Sequence, residues 1–299
     1  MPPAENPAPK LTDKDLPGLF QGADAASLEG QRRHVRSVQL RLMFAIIAAA
    51  TGVATFRVGT AGVDLLSVAT VIALVVVVSV EFYATSVRPE DTWYDGRALA
   101  ESAKSLSWRY AVAAAPFHRR IPNARKEYMT GLEMLLHDAP TTSVKPTNAP
   151  AVTEAMQALR DSPLAVRREA YLHDRIADQQ AWYSRKADRN TTLAHRWGVA
   201  LLTVEIIGIL AALSRAVGVV NFDLAGVVAA FIGAGAAWLA VRQYTTNARA
   251  YTFAAHELAI AYQRLSGIDD EISWASEVAD AEEAVSREHT MWRASRSRT

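Results

Sequence analysis

Between Leu224 and Val241 no side chain ionises. At the helical rise of about 1.5 Å per residue that run reaches about 27 Å, close to the roughly 30 Å hydrocarbon core of a bilayer. It reads as a membrane helix. The stretch before it, Trp197 to Ser214, is interrupted only by Glu205, and the link through Arg215, Gly218, Asn221 and Asp223 is too short for anything except a tight turn. The two spans form a hairpin.

An earlier stretch repeats the design. Leu42 to Phe56 is apolar or small between Arg41 and Arg57, and Leu65 to Val80 lies between Asp64 and Glu81, with a turn at Gly59 to Gly62. Arg and Glu at such ends can snorkel, so these slightly short runs still span. Val63-Asp64-Leu65 opens the second span and Phe222-Asp223-Leu224 the fourth, each placing an Asp where it can cap a helix N-terminus. Ala100-Glu101 and His256-Glu257 fall at similar distances past their hairpins, which indicates two tandem copies. The expected fold is therefore all-α and integral to the membrane: four transmembrane helices at 40–58, 63–86, 197–214 and 222–243, with a cytoplasmic helical bundle formed by helix extensions.

Half the residues are hydrophobic although 21% are charged, so the charge has to be segregated along the chain. Of the 32 basic residues only Arg57 and Arg215 fall in the hairpin turns. Arg32, Arg33, Arg36 and Arg41 precede the first span, and Arg185, Lys186, Arg189 and Arg196 precede the third, so the positive-inside rule places both termini and the middle segment in the cytoplasm. A net charge of +1 gives no argument for nucleic-acid binding. The absence of cysteine excludes disulfides, thiolate metal sites and cysteine nucleophiles. His256-Glu257 lacks the second histidine of a zinc-protease helix and no phosphate-binding glycine loop occurs, so no enzyme, metal or cofactor is expected.

Residues 1–26, rich in Pro, Ala and Asp, read as a disordered cytoplasmic tail, and a basic helix is expected from Ser27, with Gln31 as capping partner. Asp91 to Phe117 carries an apolar stripe of Leu99, Ala103, Leu106 and Tyr110 and is expected to end at Pro116. Asn123 to His137 is a second helix with Tyr128, Leu132, Leu135 and Leu136 inward. Residues 138–150 contain three prolines and form the linker between copies spanning 27–137 and 151–292. A short helix is expected over Ala151 to Arg160. Ser162-Pro163 starts a long helix whose stripe of Leu172, Ile176, Gln179 and Tyr183 leads directly into the third span. Tyr244 to Leu265 mirrors it and Gly267 stops it. Asp269 to Trp292 is the last helix, followed by a basic tail at 293–299.

Tyr171 to Tyr183 with Lys186, Ala187 and Asn190, the two later spans, and Glu277 to Trp292 together resemble the bacterial SLATT domain of the first type, the SMODS and SLOG-associating two-transmembrane effector. Trp93 to Tyr110, after the first hairpin, resembles the third type, which commonly precedes the first in one chain. The resemblance implies a pore-forming effector of the bacterial plasma membrane.

Glu205 lies near mid-membrane, where an ionised carboxylate costs several kcal/mol unless it faces water or a partner. It lines a pore or an oligomer interface, or else is protonated or paired inside the bundle, with Thr203 and Ser214 as available donors. In the fourth span Gly226, Ala230 and Ala234 are spaced by four, as are Ala229, Gly233 and Ala237, so helices can approach two faces. Homo-oligomerisation follows. Arg57 and Arg215 are snorkelling anchors or an external charge ring. In the cytoplasmic layer Glu101, Glu257, Glu282, Glu283 and Glu288 with Arg97, Arg175 and Arg287 are expected to form interhelical ion pairs, either structural or a gate. The two functions these features support are an ion channel gated through its cytoplasmic helices and a membrane-anchored scaffold that recruits a cytoplasmic signalling partner.

Overall fold

A computed structural model describes residues 10–53, 55–58, 62–139, 144–219 and 224–296, and of residues 284 and 286–296 the backbone alone. The described residues are almost wholly helical: α1 (Gly18–Gly52), α2 (Leu65–Val87), α3 (Pro89–Ala111), α4 (Ala124–His137), α5 (Glu154–Asp161), α6 (Leu164–Ala170), α7 (Asp178–Ala216), α8 (Ala225–Arg242), α9 (Tyr244–Ser266) and α10 (Glu271–Arg296). Among the described residues four helical stretches, Gly18–Gly52, Leu65–Ala111, Leu164–Ala216 and Ala225–Ser266, are long and apolar enough to cross a membrane.

The chain divides into two compact units, a polar one of residues 1–31, 90–185 and 251–299 and an apolar one of residues 32–89 and 186–250. In the apolar unit α1 and α2 are joined by a two-stranded ladder, β1 (Arg57–Val58) against β2 (Val63–Asp64). Asp64 terminates it. Its carboxylate accepts from Leu66 N at 3.1 Å and from Phe56 N at 2.9 Å, capping α2 as the sequence suggests. The matching residue Asp223 lies outside the described residues. Both hairpins end alike: Arg88 after α2 and Gln243 after α8 adopt left-handed backbone, each returning its N–H to the helix it terminates.

The polar unit has its own core of Trp108, Tyr110, Tyr128, Tyr171, Tyr183 and Trp274, all buried. Rings meet edge to face, as between Trp108 and Tyr171 and between Tyr171 and Trp274, both with centroids 5.8 Å apart. Of the predicted stripe Leu99, Ala103, Leu106 and Tyr110, all but the half-buried Leu106 are buried, as is the whole of Leu172, Ile176, Gln179 and Tyr183.

Several boundaries differ from expectation. The supposed disordered tail 1–26 is folded from residue 10: Leu11, Leu16, Phe20 and Ala23 enter the core, Leu11 N donates to Asp174, and Thr153 donates to the carbonyl of Asp15 at 2.6 Å. Polar composition masked four apolar anchors. Consequently α1 begins at Gly18, and Ser27, far from capping a helix, sits inside one and donates to the Trp93 carbonyl at 3.0 Å. There Gly96 lets α3 reach α1, since a Cβ would lie 2.8 Å from Ser27 N. α3 stops at Ala111, before Pro116, in a turn where Ala113 adopts left-handed backbone and Ala114 N returns to Arg109 O at 2.8 Å. Leu136 is exposed on α4. In the linker 138–150, residues 140–143 lie outside the described residues and Val144 packs against the core.

Candidate functional site

In the apolar unit α7 and α8 pack where glycine removes the side chain. A Cβ on Gly235 would strike Leu201, and one on Gly208 would lie 2.6 Å from Val228 Cγ1. That seam leaves the other face of α8 uncovered: Gly226, Ala229, Gly233, Ala236 and Ala240 are exposed, and open space surrounds Gly226 and Gly233. Ala230 and Ala234 are half-buried.

Glu205 follows Val204 by one residue, about 100° further around α7, and is exposed on its outer surface. Among the described residues its carboxylate has no hydrogen-bond or ion-pair partner. The two nearby hydroxyls are spent within the helix: Thr203 donates to Val199 O at 2.9 Å and Ser214 to Leu210 O at 2.8 Å.

Charge is handled in the opposite way in the polar unit. Between α6 and α7 the helix widens into a π-helical stretch, Tyr171–Ala177, of the kind often found at functional positions. From it Tyr171 donates to Glu282 at 3.0 Å, and Arg175 donates to both oxygens of the same carboxylate at 2.9 and 2.8 Å. Ser105 of α3 adds a fourth bond at 2.6 Å. Arg175 and Glu282 are both almost completely buried. Burial works against the Arg175 cation, yet Glu282 more than offsets that and holds it charged, above its ordinary range; burial, reinforced by Glu282, pushes the Tyr171 hydroxyl well up, so it stays a donor. One guanidinium nitrogen, Nη1 of Arg175, is enclosed without an acceptor among the described residues.

Two further arginines tie down the end of α3. Arg160 donates to the carbonyls of Tyr110 at 2.7 Å and Phe117 at 2.8 Å. Arg167, wholly buried, donates to Val112 O at 2.7 Å and pairs with Glu271, and Trp274 Nε1 donates to the same Val112 carbonyl at 2.9 Å. Carbonyls past a helix C-terminus lack intrahelical donors and carry partial negative charge, so cationic donors suit them.

Comparison with family models finds two matches that meet end to end. SMODS and SLOG-associating 2TM effector domain 3 covers residues 17–168, and domain 1 of the same series covers residues 171–292. The chain belongs to the SLATT family. Neither curated proteins nor solved structures yield a match. The order is the one expected from the residues quoted above, third type then first type. The SLATT match starts ten residues before the expected copy, where the structure has Pro17 and Gly18 already joined to the folded segment.

The residues singled out by sequence are scattered through the SLATT chain. Glu101 pairs with Arg97 at 3.0 Å within α3, where an interhelical pair is expected, and its charge also acts on Arg175. Glu257 is exposed and has no ion pair among the described residues. The side chains of Arg287 and Glu288 lie outside the described residues. Arg175 and Glu282 do form an interhelical pair. Sequence reasoning passed over Arg160, Arg167, Ser105 and Tyr171. A signal existed: Arg167, Tyr171 and Arg175 recur every four residues on a buried stripe, and Arg160 shares one with Met156 and Leu159. An arginine on an apolar stripe announces carbonyls or carboxylates to be satisfied inside the fold.

Proposed function

We propose that this SLATT protein assembles as a homo-oligomeric pore of the bacterial plasma membrane, both termini cytoplasmic, and acts as an effector gated through its polar helical unit. The observation that carries the reading is Glu205. It is a carboxylate on the outer surface of a membrane helix, with no partner among the described residues of its own chain. Left ionised in lipid it costs about 2.5–3.5 kcal/mol, which a water-filled axis or a neighbouring subunit removes. The exposed small-residue face of α8 supports the same reading, because backbones of adjacent copies can approach there closely. Clustering of basic residues at the ends joined to the polar unit supports the orientation.

Planar-bilayer recording of the purified protein beside Glu205→Gln tests the proposal. Conductance whose cation selectivity falls in the variant supports it. Bilayers silent under every stimulus, together with a monomeric or dimeric particle, sink it.

A second reading, a membrane-anchored scaffold that recruits a cytoplasmic partner without conduction, has one observation in its favour. Phe253 and Ile260 lie seven residues apart on α9, and with Ile272 on α10 each is about two-thirds exposed within the polar unit. Substituting all three by serine abolishes partner capture under this reading and leaves conductance unchanged.

A further inference from the structure

The apolar unit contains a half-open groove of ≈740 Å³ between α1, α7 and α8, within the roughly 300–1,000 Å³ typical of ligand sites. Its walls include Met43, Ile46, Val204 and Phe231, and no ionisable side chain lines it apart from Arg36 at one end. The polar lining is confined to that end. Arg36 lies where α1 enters the apolar unit, and Trp238 lies near the C-terminal end of α8. Arg36 is exposed and has no carboxylate partner among the described residues. The indole Nε1 of Trp238 is enclosed and has no acceptor among the described residues. Arg242 lies over the Trp238 ring, 5.5 Å from its centroid, and its Nε reaches only the Tyr244 hydroxyl, at 3.3 Å.

An apolar trough with one cation in its lining, a second stacked on the Trp238 ring and one unanswered donor at the same end matches a molecule with a hydrocarbon tail and an anionic, oxygen-rich head. We infer that this groove holds one anionic phospholipid of the surrounding bilayer, its acyl chain along Met43, Ile46 and Phe231 and its phosphate oxygens at Arg36, Arg242 and Trp238 Nε1. Charge complementarity favours a lipid of net negative charge over a zwitterionic one, whose choline cation offsets the phosphate charge at the guanidinium groups. The assignment is independent of conduction, since it concerns a site built within one copy of the apolar unit.

Native mass spectrometry of the full chain in detergent, titrated separately with phosphatidylglycerol and phosphatidylcholine of identical acyl composition, tests it. One phosphatidylglycerol per chain is retained with an affinity about tenfold higher than phosphatidylcholine, and Arg36→Gln with Arg242→Gln brings that ratio to about one. Ala234→Phe, which fills the trough, removes retention of both lipids while the helical circular dichroism is unchanged. Equal retention of the two lipids by the unaltered chain, or a preference that survives the double substitution, overturns the assignment. So does efficient disulfide formation between copies carrying Met43→Cys in this otherwise cysteine-free sequence, which would mean that a second copy covers the groove.

Discussion

The two units treat charge in opposite ways. In the polar unit Arg160, Arg167 and Arg175 are buried and turned toward carbonyls or carboxylates of the same chain. In the apolar unit Glu205 is turned outward and finds nothing among the described residues to answer it. Removing an ion from water is costly in either place, and the difference lies in where compensation comes from. The buried arginines of the polar unit are answered largely within it, apart from Nη1 of Arg175, whereas the apolar unit, which pairs Arg41 with Glu81, leaves Glu205 and the Trp238 indole donor without a partner among the described residues. Internal closure marks a rigid core.

The comparison breaks most visibly at Glu282. Replacing it by Ala strands the buried Arg175 guanidinium, and a loss of about 3–5 kcal/mol is expected in denaturation of the detergent-solubilised chain. A loss no larger than that of Glu257→Gln, a substitution of an exposed carboxylate, would show that the buried pair is not compensated internally as described. Arg167→Met comes next. It frees the carbonyl of Val112 from one of its two donors and leaves Glu271 unpaired, so a loss of about 1–3 kcal/mol is expected, read out as increased amide exchange over residues 110–117. Glu205→Gln provides the contrast: with no intrachain partner to lose, stability should change by less than about 0.5 kcal/mol while conductance changes.

The smallest effect is a pH dependence. Asp270 accepts from Ser273 N at 2.9 Å and Ile272 N at 3.1 Å at the start of α10, and these bonds, Ser273 first, hold its carboxyl below the ordinary range. A depressed acid contributes its full stabilisation above the unfolded-state value near 3.9 and loses it as pH falls through the folded value. Amide exchange at Ile272 and Ser273 should therefore show additional opening, over the intrinsic rate, only in that acidic window, and Asp270→Asn should flatten the response.

Much of the architecture was legible in the residues because membrane helices obey a one-dimensional rule. Length and the absence of ionisable groups suffice for Leu224 to Val241, and a lone Asp64 before an apolar run is enough to mark a cap. The candidate site was legible only in part. Glu205 declares itself by standing alone in an apolar run, and Tyr183 and Leu172 declare themselves by helical spacing. Arg97 and Glu101 were assigned to ion pairs between helices and pair with each other at i,i+4 on α3, while Arg97 also lies over the Trp182 ring of α7 and Glu101 acts on Arg175. Leu11, Leu16 and Phe20 were hidden by the polar residues around them, because four apolar anchors in a short segment set no periodicity.

Local properties of the chain, then, determined that this protein is helical, that it carries two SLATT domains in tandem, and which four stretches can cross a bilayer. Hydrophobic length and backbone satisfaction are paid within each segment and need no knowledge of the others. What only the tertiary structure decided is which charges are answered and which are not: that Ser105, Tyr171 and Arg175 converge on Glu282, that Arg160 and Arg167 bind the carbonyls at the end of α3, and that Trp238 keeps a donor unused among the described residues beside an apolar trough. Hydrogen bonds of 2.6–3.0 Å join residues more than a hundred positions apart in this network, and their energy depends on directions that no spacing along the chain encodes.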